Sequence, residues 1–242
     1  YGHYYQTAAP WQVALHPSNT ALLSSRSIHY VAGLEHLLSK NTQVSVEAYH
    51  KELSEVFVHD YSTRITTNEG SGHARGVELC IQRKMSRGLV GSLAYTYSVS
   101  VRQDGELLPD YHSEFDRPHN LTLVGSFRPS DRWRVGAKFL YASGNPRTPV
   151  VGSKQVDGEW YVVRGPKNSA RYPDCHMLDV RVDRTFQFAN WEFLAYLDLW
   201  NVYGRQNVTL YDYSIDENGT VIRTVPDEAP RMLPILGLEA RF

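Results

Sequence analysis

Met232-Leu233-Pro234-Ile235-Leu236-Gly237-Leu238-Glu239-Ala240-Arg241-Phe242 is the stretch on which the reading of this chain turns. Met232, Pro234, Leu236, Leu238, Ala240 and Phe242 fall on one side of a two-residue repeat, and Glu239 and Arg241 fall on the other. Successive side chains of a strand point to opposite faces, so this segment has one oily face and one face that carries charge. Such an ending suits the closing strand of a transmembrane β-barrel, with lipid against the oily face and the terminal aromatic at the membrane interface.

The same alternation recurs upstream. Val44, Val46 and Ala48 alternate with Ser45, Glu47 and Tyr49, and Val77, Leu79 and Ile81 with Glu78, Cys80 and Gln82. Leu89 to Val99, Leu121 to Phe127, Trp133 to Tyr141, Leu178 to Val182 and Trp191 to Leu199 repeat it, with charge expected on one side throughout. Nine full strands are predicted, with Tyr1 to Tyr5 as the end of another. Their connections alternate in length. Short ones lie near Ser39 to Thr42, Lys84 to Arg87, Pro129 to Arg132 and Gln187 to Asn190. Long ones run Gln6 to Ser25, Val58 to Gly72, Ser100 to Asp116, Gly144 to Asp174 and Ser214 to Pro230. Tight turns on one rim and long loops on the other are the outer-membrane arrangement, with short turns periplasmic and long loops extracellular. Asp157-Gly158 and Asn218-Gly219 predict tight hairpins inside two long loops, where wall strands would project beyond the membrane. Gly204 predicts a bulge in a long strand.

Bulk composition is compatible with this reading. Sixteen Tyr, five Trp and eight Phe in 242 residues suit strands and interfacial aromatic belts. No apolar run approaches the roughly 20 residues of a membrane-spanning helix, so any crossing is by strands. A net charge of -1 with no Lys/Arg block excludes a strongly basic nucleic-acid surface, and nucleic acid is not expected as a partner. Cys80 and Cys175 are too few and too far apart for a disulfide framework or a thiolate zinc site. No signal peptide opens the chain, whose start reads as mature or as cut from something longer.

Five segments carry a resemblance. They are Gly72-His73-Ala74-Arg75-Gly76-Val77-Glu78-Leu79, Phe115-Asp116-Arg117-Pro118-His119-Asn120, Tyr141-Ala142-Ser143-Gly144-Asn145-Pro146-Arg147-Thr148-Pro149, Asn201 to Asn207 and Leu238-Glu239-Ala240-Arg241-Phe242. Their order and spacing resemble the C-terminal half of a TonB-dependent outer-membrane receptor, in a Bacteroidetes-like style. The resemblance implies an all-β chain, residues 1–242 forming the C-terminal part of a single 22-stranded antiparallel barrel, with the plug domain and TonB box absent from it. It further implies localisation in the cell outer membrane and uptake of a scarce nutrient such as a siderophore, cobalamin or glycan. The implied partners are outer-membrane lipid, the plug and N-terminal strands of the same receptor, the energy-transducing TonB protein through that N-terminal part, the barrel-assembly machinery and, over the loops, a surface lipoprotein. Leu238, Ala240 and Phe242 would form the C-terminal assembly signal.

The residues point to no enzyme. Ten histidines occur without a His-x-x-x-His spacing, with His29, His36, His50 and His73 spread over different strands, so no metal or cofactor is expected. Asp174-Cys175-His176 looks like a nucleophile cluster, but neighbours on a strand face opposite ways. Asp179, Arg181 and Asp183 on one strand, and Arg134 and Lys138 on another, are expected to form ion pairs across the barrel's inner wall. Tyr111, His112, Trp160, Tyr161 and Arg164 are candidate ligand contacts in the loops, against the plainer role of packing those loops. Two competing readings stay open: a small complete porin-like barrel, and a soluble all-β carbohydrate-binding domain. The soluble reading requires Val135, Phe139, Leu197 and Leu238 in a dry core.

Overall fold

The computed structural model describes residues 1–226 and 231–242. Its strands are β1 (Gly2–Gln6), β2 (Ser25–Ser39), β3 (Thr42–His59), β4 (Thr66–Ser86), β5 (Leu89–Gln103), β6 (Tyr111–His112), β7 (His119–Ser130) and β8 (Trp133–Ala142). They continue with β9 (Pro146–Arg147), β10 (Val150–Val156), β11 (Glu159–Arg164), β12 (Ala170–Arg171), β13 (Cys175–Gln187), β14 (Glu192–Trp200), β15 (Asp212–Ile215), β16 (Val221–Thr224) and β17 (Leu233–Arg241). Ten of them form one antiparallel wall in the order β1-β2-β3-β4-β5-β7-β8-β13-β14-β17, with β6 clipped to the side of β5. These are the nine full strands and the partial first strand expected from the sequence. Among the described residues, helix is confined to the first long loop, at Pro10–Ala14 and Pro17–Ala21.

Register turns alternation into continuous rows. Leu89 pairs Phe127, Phe127 pairs Val135, Val135 pairs Val182, Val182 pairs Leu197, and Leu197 pairs Leu236. A neighbouring row runs Val44, Ile81, Leu93, Leu123, Phe139 and Leu178. Each such cross-strand pair brings side chains close enough to pack, which locks the register that keeps every oily residue on one face.

No hydrophobic residue among those described is buried, while Asn19, Thr66, Ser113, Asp116, Ser143, Asn168, Asp183 and Asn201 are. A water-soluble domain of this size does the reverse, because burying apolar surface is its main stabilisation. Val135, Leu197 and Leu238 are exposed, at 40%, 37% and 73%, and Phe139 is half-buried in its row. The apolar face therefore has no protein against it.

Both ends of that face carry aromatics. At the short-turn rim Phe188 stacks on Trp191 at 4.3 Å, Phe186 meets Phe193, and Trp191 reaches Phe242 at 6.0 Å. At the long-loop rim the rings are tyrosine and histidine: Tyr95 with His119, Tyr97 with His119, and His176 with Tyr203. Amphipathic rings prefer the membrane–water boundary, so two belts bracket the oily rows.

Four expectations need correction. Charge is not confined to one face: Glu52 and Arg75, part-way along β3 and β4, and Arg83 and Arg184, near strand ends, lie on the apolar side, and Arg184 lays its guanidinium over Trp133 and Phe186 at 4.9 and 4.8 Å. A long side chain at a rim can cover oily surface while its charged head stays in water. The expected loop from Val58 to Gly72 shrinks to residues 60–65, because β3 and β4 stay paired out to His59 and Thr66 through two bulges. Gly204 marks no bulge; β14 ends at Trp200, and Asn201 (φ 53°) and Gly204 (φ 62°) turn the chain away from the wall. Asp157-Gly158 and Asn218-Gly219 do make hairpin turns, but β10–β11 and β15–β16 are separate two-stranded sheets and not extensions of wall strands. The final part of the expected loop from Ser214 to Pro230, at 227–230, lies outside the described residues.

Substituting Leu197→Arg puts a guanidinium in the centre of the oily rows, at a cost of roughly 2–4 kcal/mol in a bilayer. The heat-modifiable folded fraction on a gel should fall sharply, whereas Ser126→Arg, on the polar face, should leave it near the unsubstituted level.

Candidate functional site

The polar face carries an ion-pair ladder where the sequence places one. Arg181 Nε donates to Asp183 Oδ1 at 2.7 Å and Arg134 lies 4.0 Å from Asp183 Oδ2. Lys138 stands opposite Asp179 in the register, without an ion pair among the described residues. The Arg181 guanidinium sits 3.8 Å from the Tyr196 ring centre. Tyr196 in turn crosses over Gly237 of β17, and a Cβ at that position would clash with the hydroxyl end of its ring. Glycine is needed here because it lets the tyrosine cross the strand, which supports the cation above it. Farther down, Arg241 binds Glu239 at 2.7 Å and lies 3.9 Å from Glu192.

At the long-loop rim the buried residues are polar and hold loops to one another. Asp116 is fully buried: Oδ1 accepts the Ser100 amide at 2.6 Å, and Oδ2 pairs with Arg171 and lies 3.1 Å from His112 Nδ1. Arg171 also donates to the carbonyls of Asp116 and Gly144. The loop after β5 is thereby tied to the loop between β8 and β13. Asn201 plays the same part nearer the chain's end, donating to the carbonyls of Arg205 and Arg231 while its amide meets Asp179 Oδ1 at 2.9 Å. Asn19 pins the first long loop to the β3–β4 tip through Gln12, Arg64 and Thr66. Outside the strands, the Tyr141 hydroxyl, helped by the Gly144 amide, holds the Asp174 carboxyl below its usual range.

Sequence reasoning did not single out Asp116, Arg171, Asn19 or Asn201 for these roles. Asp116 and Asn201 do fall within the stretches that carry the family resemblance, and that is the signal available for them; nothing local marks Arg171 or Asn19.

The five expected ligand contacts separate into two groups. Tyr111 donates to Asp104, and Lys167 lies 4.0 Å from its ring centre while binding Asp104 at 2.6 Å. Burial, with the Asp104 hydrogen bond, pushes the Tyr111 phenol up. His112 belongs to the Asp116 knot. Trp160, Tyr161 and Arg164 stand apart on β11. Trp160 covers Gly219, where φ is 82° and any side chain would strike the indole, so the two hairpins dock there; Ser153 Oγ donates to the Gly219 carbonyl alongside. Tyr161 donates to Glu159 at 2.9 Å and is largely exposed, as is Arg164. The structure thus gives Tyr111, His112 and Trp160 loop-packing contacts and leaves Tyr161 and Arg164 facing outward.

Cys175 and His176 face opposite ways, and His176 Nδ1 meets the Tyr203 hydroxyl at 2.8 Å. His50 and His73, on adjacent strands, stack at 6.3 Å. No group of three or more metal-binding side chains forms among the described residues.

Comparison with solved structures bears on the whole wall. Over 98% of the chain, it superposes on the ferric-catecholate import receptor Fiu of Escherichia coli K12 with a TM-score of 0.61 at 13% identity. This protein has the fold of an outer-membrane receptor barrel. The ferripyoverdine receptor of the outer membrane of Pseudomonas aeruginosa matches 99% of the chain with a TM-score of 0.64 at 14% identity. The FrpB iron transporter of Neisseria meningitidis matches 91% with a TM-score of 0.53 at 13% identity. The chain spans only 30% of Fiu and of the ferripyoverdine receptor and 31% of FrpB, so it corresponds to under a third of such a receptor's length. No family model matches, and neither does any curated protein.

Asp116→Asn should weaken the clasp between the two loops by roughly 1–3 kcal/mol, because Arg171 then lacks its counter-charge. Hydrogen exchange should quicken about tenfold or more in residues 104–118 and 144–174 and stay unchanged in β7 and β8. At the β3–β4 tip the Ser62 hydroxyl and amide, then Thr63, hold the Asp60 carboxyl down to about 2 from an ordinary 3.8. A depressed carboxyl stabilises above its unfolded value and ceases to as pH falls through the folded one. Amide protection in residues 60–65 should therefore persist through pH 4 and disappear only toward about pH 2, as followed by exchange.

Proposed function

We propose that residues 1–242 are the C-terminal wall of a TonB-dependent outer-membrane receptor that imports a scarce nutrient, in the iron-chelate class of its structural neighbours. The inversion of burial carries this reading: oily rows exposed between two aromatic belts, with polar residues buried at the long-loop rim. Fiu is a ferric-catecholate import receptor, the Pseudomonas protein a ferripyoverdine receptor, and FrpB an iron transporter, which favours an iron chelate over a glycan.

In this reading the chain acts by shape and charge and performs no catalysis. The remaining strands and the plug come from the rest of the receptor, and TonB grips its N-terminal part. The free edges of β1 and β17 pair with those missing strands, since an unpaired backbone group in lipid costs several kcal/mol. The polar face with its Arg181–Asp183 ladder lines the lumen around the plug. Leu238, Ala240 and Phe242 present the outward face of β17 to the barrel-assembly machinery, and Tyr161 and Arg164 remain candidate contacts for ligand or for a surface lipoprotein.

A small complete barrel is disfavoured because β1 and β17 do not pair, and a soluble carbohydrate-binding domain because no apolar core forms among the described residues. Fractionation tests the proposal. The polypeptide carrying this sequence should sediment with detergent-extracted outer membrane and run at roughly three times 27.6 kDa, in proportion to the share of each neighbour covered. A monodisperse soluble 27.6 kDa monomer would sink it.

A further inference from the structure

The tight turns of the short-turn rim are bonded to one another. The Lys84 amide donates to the Asn41 carbonyl, the Arg128 amide to the Gly88 carbonyl and the Thr185 amide to the Arg132 carbonyl, each at 2.8 Å. Three turns and the end of β13 thereby form one string along the rim. The string is cationic. Lys40, Lys84, Arg87 and Arg132 stand in its turns, and Arg83 and Arg184 join them from the oily side of β4 and β13.

All residues of these turns, 39–42, 84–88 and 128–132, are described, and Asp131 is the acid among them. Asp131 shares a cleft with Arg128, Glu192 and Arg241. Glu192 and Glu239, at the same rim on β14 and β17, both go to Arg241, at 3.9 and 2.7 Å. Among the described residues, none of the string's cations is within ion-pair distance of a carboxylate.

The rings of this rim set the depth at which those charges stand. Arg184 lies over Trp133 and Phe186, the exposed Phe127 precedes the Arg128 turn, and Phe188, Trp191 and Phe242 continue the belt. Such rings sit at the level of lipid headgroups, so cations among them meet phosphates and not acyl tails. A guanidinium laid on a ring keeps its edge donors free for phosphate oxygens. A zwitterionic headgroup brings its own ammonium, which like charges repel, whereas an anionic one completes the set. Because the turns are tied together, little backbone has to be ordered when the headgroup docks. We propose that this string is a collar for the phosphate headgroups of anionic phospholipid in the leaflet at the short-turn side. That leaflet is the periplasmic one in the receptor reading above, on which the inference rests.

The test uses the full-length receptor in neutral detergent, titrated with phosphatidylglycerol or phosphatidylcholine, with the lipid-bound fraction read by native mass spectrometry. Phosphatidylglycerol should bind more tightly than phosphatidylcholine and lose affinity as salt rises. R132Q combined with R184Q should weaken phosphatidylglycerol at least about tenfold, the loss expected for two cations removed from an anionic surface, and leave phosphatidylcholine unchanged. Arg64→Gln with Lys154→Gln, at the long-loop rim, removes the same charge and should change neither. Inorganic phosphate at the lipid's concentration should not displace phosphatidylglycerol; displacement would mean a site for free phosphate and overturn the lipid collar. If the double variant fails the heat-modifiability check for folding, the exposed turn pair Lys40→Gln with Arg87→Gln is read instead. Equal binding of the two lipids, or unchanged phosphatidylglycerol affinity in a folded variant, also overturns the collar. These results leave the receptor reading standing, whereas recovery of the protein as a soluble monomer overturns that reading before any lipid is added.

Discussion

A lipid bilayer offers backbone amides no hydrogen-bond partners, and this constraint organises the molecule. Each wall strand from β2 to β14 satisfies it with neighbours on both sides, so the ladders must run without interruption along the oily rows. Bulges between β3, β4 and β5 fall at Leu53 to Val58 and at Arg83 to Ser86, beyond those rows. Once the ladder is obligatory, side chains have only two directions available, and the chemistry of the whole chain divides between them.

The division leaves an unusual distribution of stabilising forces. With no buried apolar core among the described residues, the protein part of the wall is held by paired backbone, cross-strand side-chain contacts and polar knots at the rim. Asp116, Asn19 and Asn201 are buried because each satisfies several backbone or side-chain partners at once, which is the condition for burying a polar group without penalty. These knots join loops that are distant in sequence and so hold the mouth in shape above a lumen wall lined by Arg134, Arg181 and Asp183. The two belts differ in kind, with Phe and Trp at the short-turn rim and Tyr and His at the other. Rings that can both donate and accept a hydrogen bond thus mark the side where the structured loops stand.

The long-loop rim combines two kinds of cation. Arg171 and Lys167 are neutralised by Asp116 and Asp104 and serve as fasteners. Arg147, Arg205, Arg223 and Arg231 have no such partner among the described residues.

Strand identity, face assignment and the alternation of short and long connections were legible from the sequence alone, because a period of two is a local property that any window of Leu, Val and Phe against Ser, Thr and Arg displays. The same local rule placed Asp157-Gly158 and Asn218-Gly219 in hairpin turns. It could not say that those hairpins leave the wall and dock through Trp160 on Gly219, that β14 stops at Trp200, or that β3 and β4 stay paired out to His59 and Thr66. Nor could it bring Arg171 to Asp116 or Arg147 to Tyr211, since each pair joins loops more than fifty residues apart. Contacts of that range are set by how the strands deliver their ends to one rim, a consequence of register accumulated across the sheet that no single segment contains.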